Sequence, residues 1–180
     1  MTEIVTSTQR IYNGKVINLR VDTVLLQNEQ SGKREIVEHH GAVAIVPLYD
    51  DNTVVLVRQF RLAAGRVMLE IPAGSVEPGE DIDATANREL AEEVHLEAGI
   101  MRKLFQSFVA PGYSTELIHT YLATGLTAKT LKGGDDEFLD IIRLPLGEAI
   151  EKIGTGEIED SKSIGGLLYV DQLLKKGSKN

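Results

Sequence analysis

Short apolar runs and partial alternation dominate the first half of the chain. Residues 15–26 (KVINLRVDTVLL) are rich in β-branched side chains and partly alternate, a strand pattern. Ser31-Gly32, within residues 27–33, is a turn signal, and residues 34–38 return to β character. Residues 10–38 therefore predict a small N-terminal sheet or hairpin. Residues 42–48 (AVAIVPL) predict an apolar strand ending in the turn Asp50-Asp51-Asn52, and residues 53–58 (TVVLVR) predict its partner. Two prolines and two glycines make residues 72–79 a loop. A helix is expected over residues 81–95. Its row Ile82, Ala86, Leu90, Val94 forms one buried stripe, and Asp81 or Asp83 is placed to cap it. Strands are expected at 103–109 and 117–124, around a loop at 110–115. An acidic loop at 133–137 leads to a strand at 138–144. Helices are expected at 146–153 and 161–175, the second interrupted by Gly165-Gly166. Strands mixed with a few helices, without regular βα alternation, predict an α+β sandwich.

Composition narrows the class. At 42% hydrophobic and 26% charged residues, the chain has the balance of a folded protein rather than a disordered one. No apolar run approaches the ~18 residues that cross a bilayer, so no membrane partner is expected. Cysteine is absent, which removes disulfide and thiolate chemistry. The beginning MTEIVTSTQR lacks a basic-then-apolar signal layout, and a cytoplasmic protein is expected. A net charge of −8 argues against a nucleic-acid groove, whose affinity comes from cations facing phosphates. It does not argue against a phosphate substrate held through a metal. The location of the carboxylates therefore matters more than their number.

They concentrate in residues 74–96 (GSVEPGEDIDATANRELAEEVHL). Glu89, Glu92 and Glu93 stand at i, i+3 and i+4 and share a helix face, where like charges repel. Arg88 is placed to relieve Glu92 at i+4 but points less well at Glu89 or Glu93. Glu77 and Glu80 precede the helix. Several glutamates on one face are often no more than a solvated surface. They also suit a hard divalent cation such as Mg²⁺, which takes oxygen ligands and substrate phosphate.

The whole string decides between these. Gly74, five residues, Glu80, seven residues, then Arg88-Glu89-Leu90-Ala91-Glu92-Glu93 and Leu96 resembles the Nudix box. One position departs: the final glycine of that motif is His95 here, expected to end the helix in a left-handed conformation. Residues 34–44, 54–61, 70–74 (EIPAG) and 156–162 (GEIEDSK) resemble the ADP-ribose pyrophosphatase branch of the family, although His40 stands where that branch often has proline. Pro111, about fifteen residues beyond the box, also fits that branch. The resemblance covers about residues 10–170.

It implies a Nudix α/β/α sandwich with a mixed sheet, preceded by a small N-terminal β-sheet segment. Residues 1–40 would form that segment and serve dimerisation, and residues 41–180 the hydrolase domain. The implied activity is Mg²⁺-dependent hydrolysis of the diphosphate of ADP-ribose to AMP and ribose 5-phosphate, with Mn²⁺ as an alternative metal. Alternatives are hydrolysis of another nucleoside diphosphate sugar such as GDP-mannose, or a non-catalytic ADP-ribose sensor. Glu89, Glu93, the carbonyl of Ala73 and Glu137 resemble metal ligands, with Glu92 close by. Arg88 would orient the glutamates and Glu80 would hold the loop. The catalytic base stays open among Asp135, Asp136, Glu137 and a box glutamate such as Glu92. Arg61, Glu70, Arg34, Pro111 and Tyr113 are the implied substrate-binding residues, and the implied assembly is a homodimer. His119, in an apolar strand, is expected to be structural.

Overall fold

The computed structural model describes residues 2–129 and 139–177. Its contacts divide the chain into two compact units. The first runs to Gly41 and takes in Ser107–Ile118; the second comprises Ala42–Gln106 and the chain from His119 onward.

The first unit is built on a three-stranded antiparallel sheet of β1 (Ile4–Asn13), β2 (Asn18–Leu25) and β3 (Ser31–Glu38), in that order. The strand β1 begins well before the segment whose pattern predicts β structure, because its exposed residues carry little apolar periodicity. The Ser31-Gly32 turn is corrected. Both residues open β3, opposite Leu25 and Val24, and the reversal lies over 26–30. There the Leu26 N–H donates to the Gln30 carbonyl at 2.9 Å, and Asn28 Oδ1 accepts from the Gln30 N–H. An asparagine side chain that mimics a backbone turn outcompetes the Ser-Gly pair. The loop at Tyr113–Thr115 joins the edge of β3: Val37 N–H donates to the Tyr113 carbonyl and Thr115 N–H to the Val37 carbonyl.

The second unit holds two sheets. One has the order β10-β5-β6, from β5 (Thr53–Arg61), β6 (Arg66–Glu70) and β10 (Asp140–Pro145). The other has the order β7-β4-β9-β8, from β4 (Ala42–Pro47), β7 (Ala73–Ser75), β8 (Leu96–Phe108) and β9 (Leu117–Ala128). Three helices accompany them: α1 (Ile82–Val94), α2 (Leu146–Thr155) and α3 (Ser161–Gly177). All six residues of β4 are buried, as its unbroken apolar run demands of a strand covered on both faces. Side chains of a strand alternate between faces. Val43 and Ile45 of β4 pack with Ala86, Leu90 and Val94 of α1. Val46, of opposite parity, lies beneath Gly166 of α3. The two helices thus cover opposite faces of one sheet, an α/β/α arrangement.

Gly165-Gly166 does not interrupt α3, which runs unbroken to Gly177. A Cβ at Gly166 would come within 3.0 Å of Val46 and 3.1 Å of Ile71. The glycine marks a close approach of helix to sheet rather than a helix break. Two strands are longer than their apolar patterns suggest, since β8 and β9 extend beyond the buried region. The short strands β6 and β7 carry too few residues to show a period. None of the described helices is long and apolar enough to cross a membrane.

Candidate active site

The helix α1 begins at a capping aspartate. Asp81 has an extended backbone, and its Oδ1 accepts from the Ala84 N–H at 3.0 Å. Asp83 has another role: its Oδ1 accepts from the buried Tyr121 hydroxyl at 2.5 Å, tying the first turn of α1 to β9. Burial, and then the neighbouring Asp83 carboxylate, push the Tyr121 phenol well above its ordinary pKa, so it stays a donor. The helix ends at His95, with φ 56° and ψ 39°, and its N–H reaches the Ala91 and Leu90 carbonyls. Histidine thus supplies the left-handed cap for which the motif uses glycine.

Between these ends the helix turns its glutamates toward β7. Glu89 is 8% exposed and Glu93 7% exposed, whereas the side chain of Glu92 is 51% exposed. Glu93 Oε2 accepts from the Ala73 N–H at 3.0 Å, which brings Ala73 and Glu93 together. Gly74 faces Glu89 so closely that a Cβ there would overlap its carboxylate. The glycine of the box is therefore required by space.

Arg88 organises the remaining carboxylates. Its Nε and Nη2 grip Glu80 at 2.8 and 3.0 Å, and Nη2 also reaches the Ser75 carbonyl. Its Nη1 donates to Glu89 at 2.7 Å and to Glu92 at 2.9 Å. The expectation that Arg88 points poorly at Glu89 is thus corrected. The fork on Glu80 lays the guanidinium across the helix face, and its free edge then reaches both carboxylates. The Arg88 hydrogen bonds hold the Glu80 carboxyl down at about 2, and the same carboxylates raise the arginine above its already high value.

A second charged group adjoins through β5 and β6. Glu70 is 2% exposed and accepts one edge of the Arg61 guanidinium, Nε and Nη2, at 2.8 Å each. Lys162 Nζ donates to the same carboxylate at 2.5 Å. Burial alone would raise the Glu70 pKa, but the two cations outweigh it and hold the carboxyl at about 2. Glu93 contributes to the field at Arg61, whose pKa is raised first by Glu70. Lys162 is a residue the sequence reading left unassigned. Its only signal was its place in the GEIEDSK segment.

Arg34, Pro111 and Tyr113 belong to the first unit, where Arg34 pairs with Glu3 and Tyr113 is exposed. Asp135, Asp136 and Glu137 lie outside the described residues. His119 is buried, as a structural residue would be.

Among the described residues, no three His, Asp or Glu side chains gather into a complete metal cage. The donors that do converge are oxygens: Glu89 and Glu93, both largely buried, beside the backbone of Ala73. A small hard cation usually takes one or two carboxylates and completes its shell with water and substrate phosphate. The residues present fit such an ion.

Comparison with known proteins agrees with this geometry. The NUDIX domain model matches residues 38–164. The chain belongs to the Nudix family. A methanol dehydrogenase activator of Bacillus methanolicus is 43% identical over 165 residues, 91% of this chain and 89% of its own length. An ADP-ribose pyrophosphatase of Bacillus subtilis (strain 168) is 37% identical, over 90% of this chain and 89% of its own. A GDP-mannose pyrophosphatase of Klebsiella pneumoniae is 36% identical, over 77% of this chain and 74% of its own. The crystal structure of an ADP compounds hydrolase matches with a TM-score of 0.87 at 23% identity, covering 100% of this chain and 98% of that chain, a likeness of fold. The α+β Nudix fold implied by the sequence is thus found, and the chain is a Nudix hydrolase. Members of this family generally depend on a divalent metal.

Proposed function

We propose that this Nudix hydrolase cleaves the diphosphate of ADP-ribose, giving AMP and ribose 5-phosphate, with Mg²⁺ as its metal and Mn²⁺ as a substitute. The observation that carries the reading is the pairing of Glu89 and Glu93 on one helical turn, both sheltered, against the Ala73–Gly74 backbone. Glu89, Glu93, the Ala73 carbonyl and Glu137 would hold the cation. When bound, it neutralises the diphosphate and makes water more acidic. Arg61 offers a guanidinium edge to the phosphates while Glu70 fixes its orientation. Arg88 keeps Glu89 and Glu92 in register with Glu80. Glu137, Asp135, Asp136 or Glu92 accepts the proton of the attacking water as a P–O bond of the diphosphate breaks. Arg34, Pro111 and Tyr113 are proposed as further substrate-binding residues.

Similarity to an ADP-ribose pyrophosphatase over nine-tenths of the chain supports the substrate. The GDP-mannose pyrophosphatase relative supports a second reading, a related nucleoside diphosphate sugar. We further assign residues 1–40 to dimerisation, because Ile4, Val5, Ile11, Tyr12 and Val16 leave apolar surface on this small unit. Light scattering of the eluted protein at twice the 19.7 kDa chain mass would support that assignment.

A panel of ADP-ribose, GDP-mannose and other nucleoside diphosphate sugars, with Mg²⁺ or Mn²⁺, tests the substrate. Release of AMP from ADP-ribose ahead of the others is expected; binding without AMP release would make the protein a sensor. Glu93→Gln tests the metal assignment, because glutamine still accepts from the Ala73 N–H but lacks the charge. Full Mg²⁺-dependent turnover by that variant would overturn the assignment.

A further inference from the structure

We infer that Lys162 is a positioning residue for the guanidinium of Arg61, acting through the buried carboxylate of Glu70. The inference rests on the proposed role of Arg61 at the substrate phosphates.

Four charged side chains form a row of alternating sign. Arg61 holds both oxygens of Glu70, and Lys162 Nζ bonds Glu70 Oε2 at 2.5 Å and Asp160 Oδ2 at 2.8 Å. Asp160 Oδ2 also accepts the Ser163 N–H and hydroxyl, which anchors the row to the first turn of α3. Its middle is the least exposed part. Glu70 is 2% exposed and the Lys162 side chain 11%, whereas the side chains at the two ends, Asp160 and Arg61, are 18% and 41% exposed. The positive end is the more exposed of the two, and it is the end that the proposed function turns toward the substrate.

Its hold on the shared carboxylate gives Lys162 its role. The four charges of the row sum to zero, so Lys162 and Asp160 offset each other and the effect of Lys162 on Arg61 is one of position rather than of net charge. The same contact fixes Glu70 Oε2, so the bidentate fork on Arg61 has one orientation. Ser163 follows a separate route: its Oγ accepts from the Ile71 N–H at 2.8 Å and so steadies the backbone leading to Ala73.

Steady-state kinetics on ADP-ribose with Mg²⁺ test this, using Lys162→Met, Lys162→Gln and Lys162→Arg, each alone and in an Arg61→Ala background. Lys162→Met is expected to raise KM about tenfold with kcat within about twofold, the signature of lost binding common to ground and transition states. Lys162→Arg restores most of the loss. In the Arg61→Ala background, Lys162→Met causes no further rise in KM, because contacting residues in one network are not additive. If Lys162→Met fails to fold, Lys162→Gln, which keeps a donor but no charge, carries the same comparison. Equal KM effects with and without Arg61, or a fall in kcat at unchanged KM, would overturn the role of Lys162. A wild-type protein inactive on every nucleoside diphosphate sugar would overturn the functional reading and this inference with it.

Discussion

The α-carbon of Gly74 lies against the carboxylate of Glu89, with no room between them for a methyl group. The obstructing atoms are the far end of a flexible side chain, so alanine at 74 would displace the carboxylate rather than the backbone. Gly74→Ala should therefore fold normally and lose function. Displacement of a catalytic group by about 1 Å costs ~100-fold in rate, and a loss of that size is expected in Mg²⁺-dependent turnover. Circular dichroism and the melting temperature should stay close to wild type. Wild-type turnover by Gly74→Ala would show that the position of Glu89 does not matter.

His95 makes a prediction of the opposite sign. A non-glycine residue holds a left-handed backbone at the end of α1. Glycine adopts that conformation without Cβ strain, so His95→Gly should stabilise the protein by up to ~1 kcal/mol. Urea unfolding of the two proteins measures it directly. A lower midpoint for His95→Gly would mean that the imidazole makes contacts worth more than the backbone strain.

Much of this architecture was legible because it rests on local signals. The period of Ile82, Ala86, Leu90 and Val94 defined α1 almost to the residue, and the unbroken run AVAIVP defined β4. The box placed Gly74, Glu80, Arg88, Glu89 and Glu93 together because one helix and its preceding loop carry them all. What escaped were relations between segments distant in sequence. The hold of Lys162 on Glu70 spans 92 residues, and no periodicity encodes it. Nor does local pattern distinguish a glycine pair that breaks a helix from one that lets it approach a sheet. Only the positions of Val46 and Ile71 make that distinction for Gly166.

That approach gives a third test. A Cβ at Gly166 would meet Val46 and Ile71 at distances tighter than ordinary contact, and both belong to the packed interior. Overpacking costs typically 1–3 kcal/mol, so Gly166→Ala should lose about 1 kcal/mol and Gly166→Val about 3 kcal/mol or more. Chemical denaturation gives both values. A break in the helix at this point would instead make Gly166→Ala stabilising, since alanine is the better helix former by ~1 kcal/mol.

Stability should fall in two stages as pH falls. Burial, and then the nearby Lys103 charge, lower the His119 pKa from 6.5, and its Nδ1 has no hydrogen-bond partner among the described residues. Below about pH 6.5 the unfolded chain therefore binds a proton that the folded chain resists, and stability declines. Glu70 and Glu80 act lower. Both are held at about 2 in the folded protein, against an ordinary value of 4.5. Their contribution is complete above pH 4.5 and is lost as pH falls from there through about 2. Glu70→Gln should be less stable than wild type at pH 7, because Arg61 and Lys162 lose their common anion, and the two proteins should converge toward pH 2. His119→Gln should flatten the upper stage and leave the lower one intact. Urea midpoints measured from pH 8 to pH 2 resolve both stages. A constant difference between Glu70→Gln and wild type across that range would mean that the carboxylate titrates alike in the folded and unfolded chains.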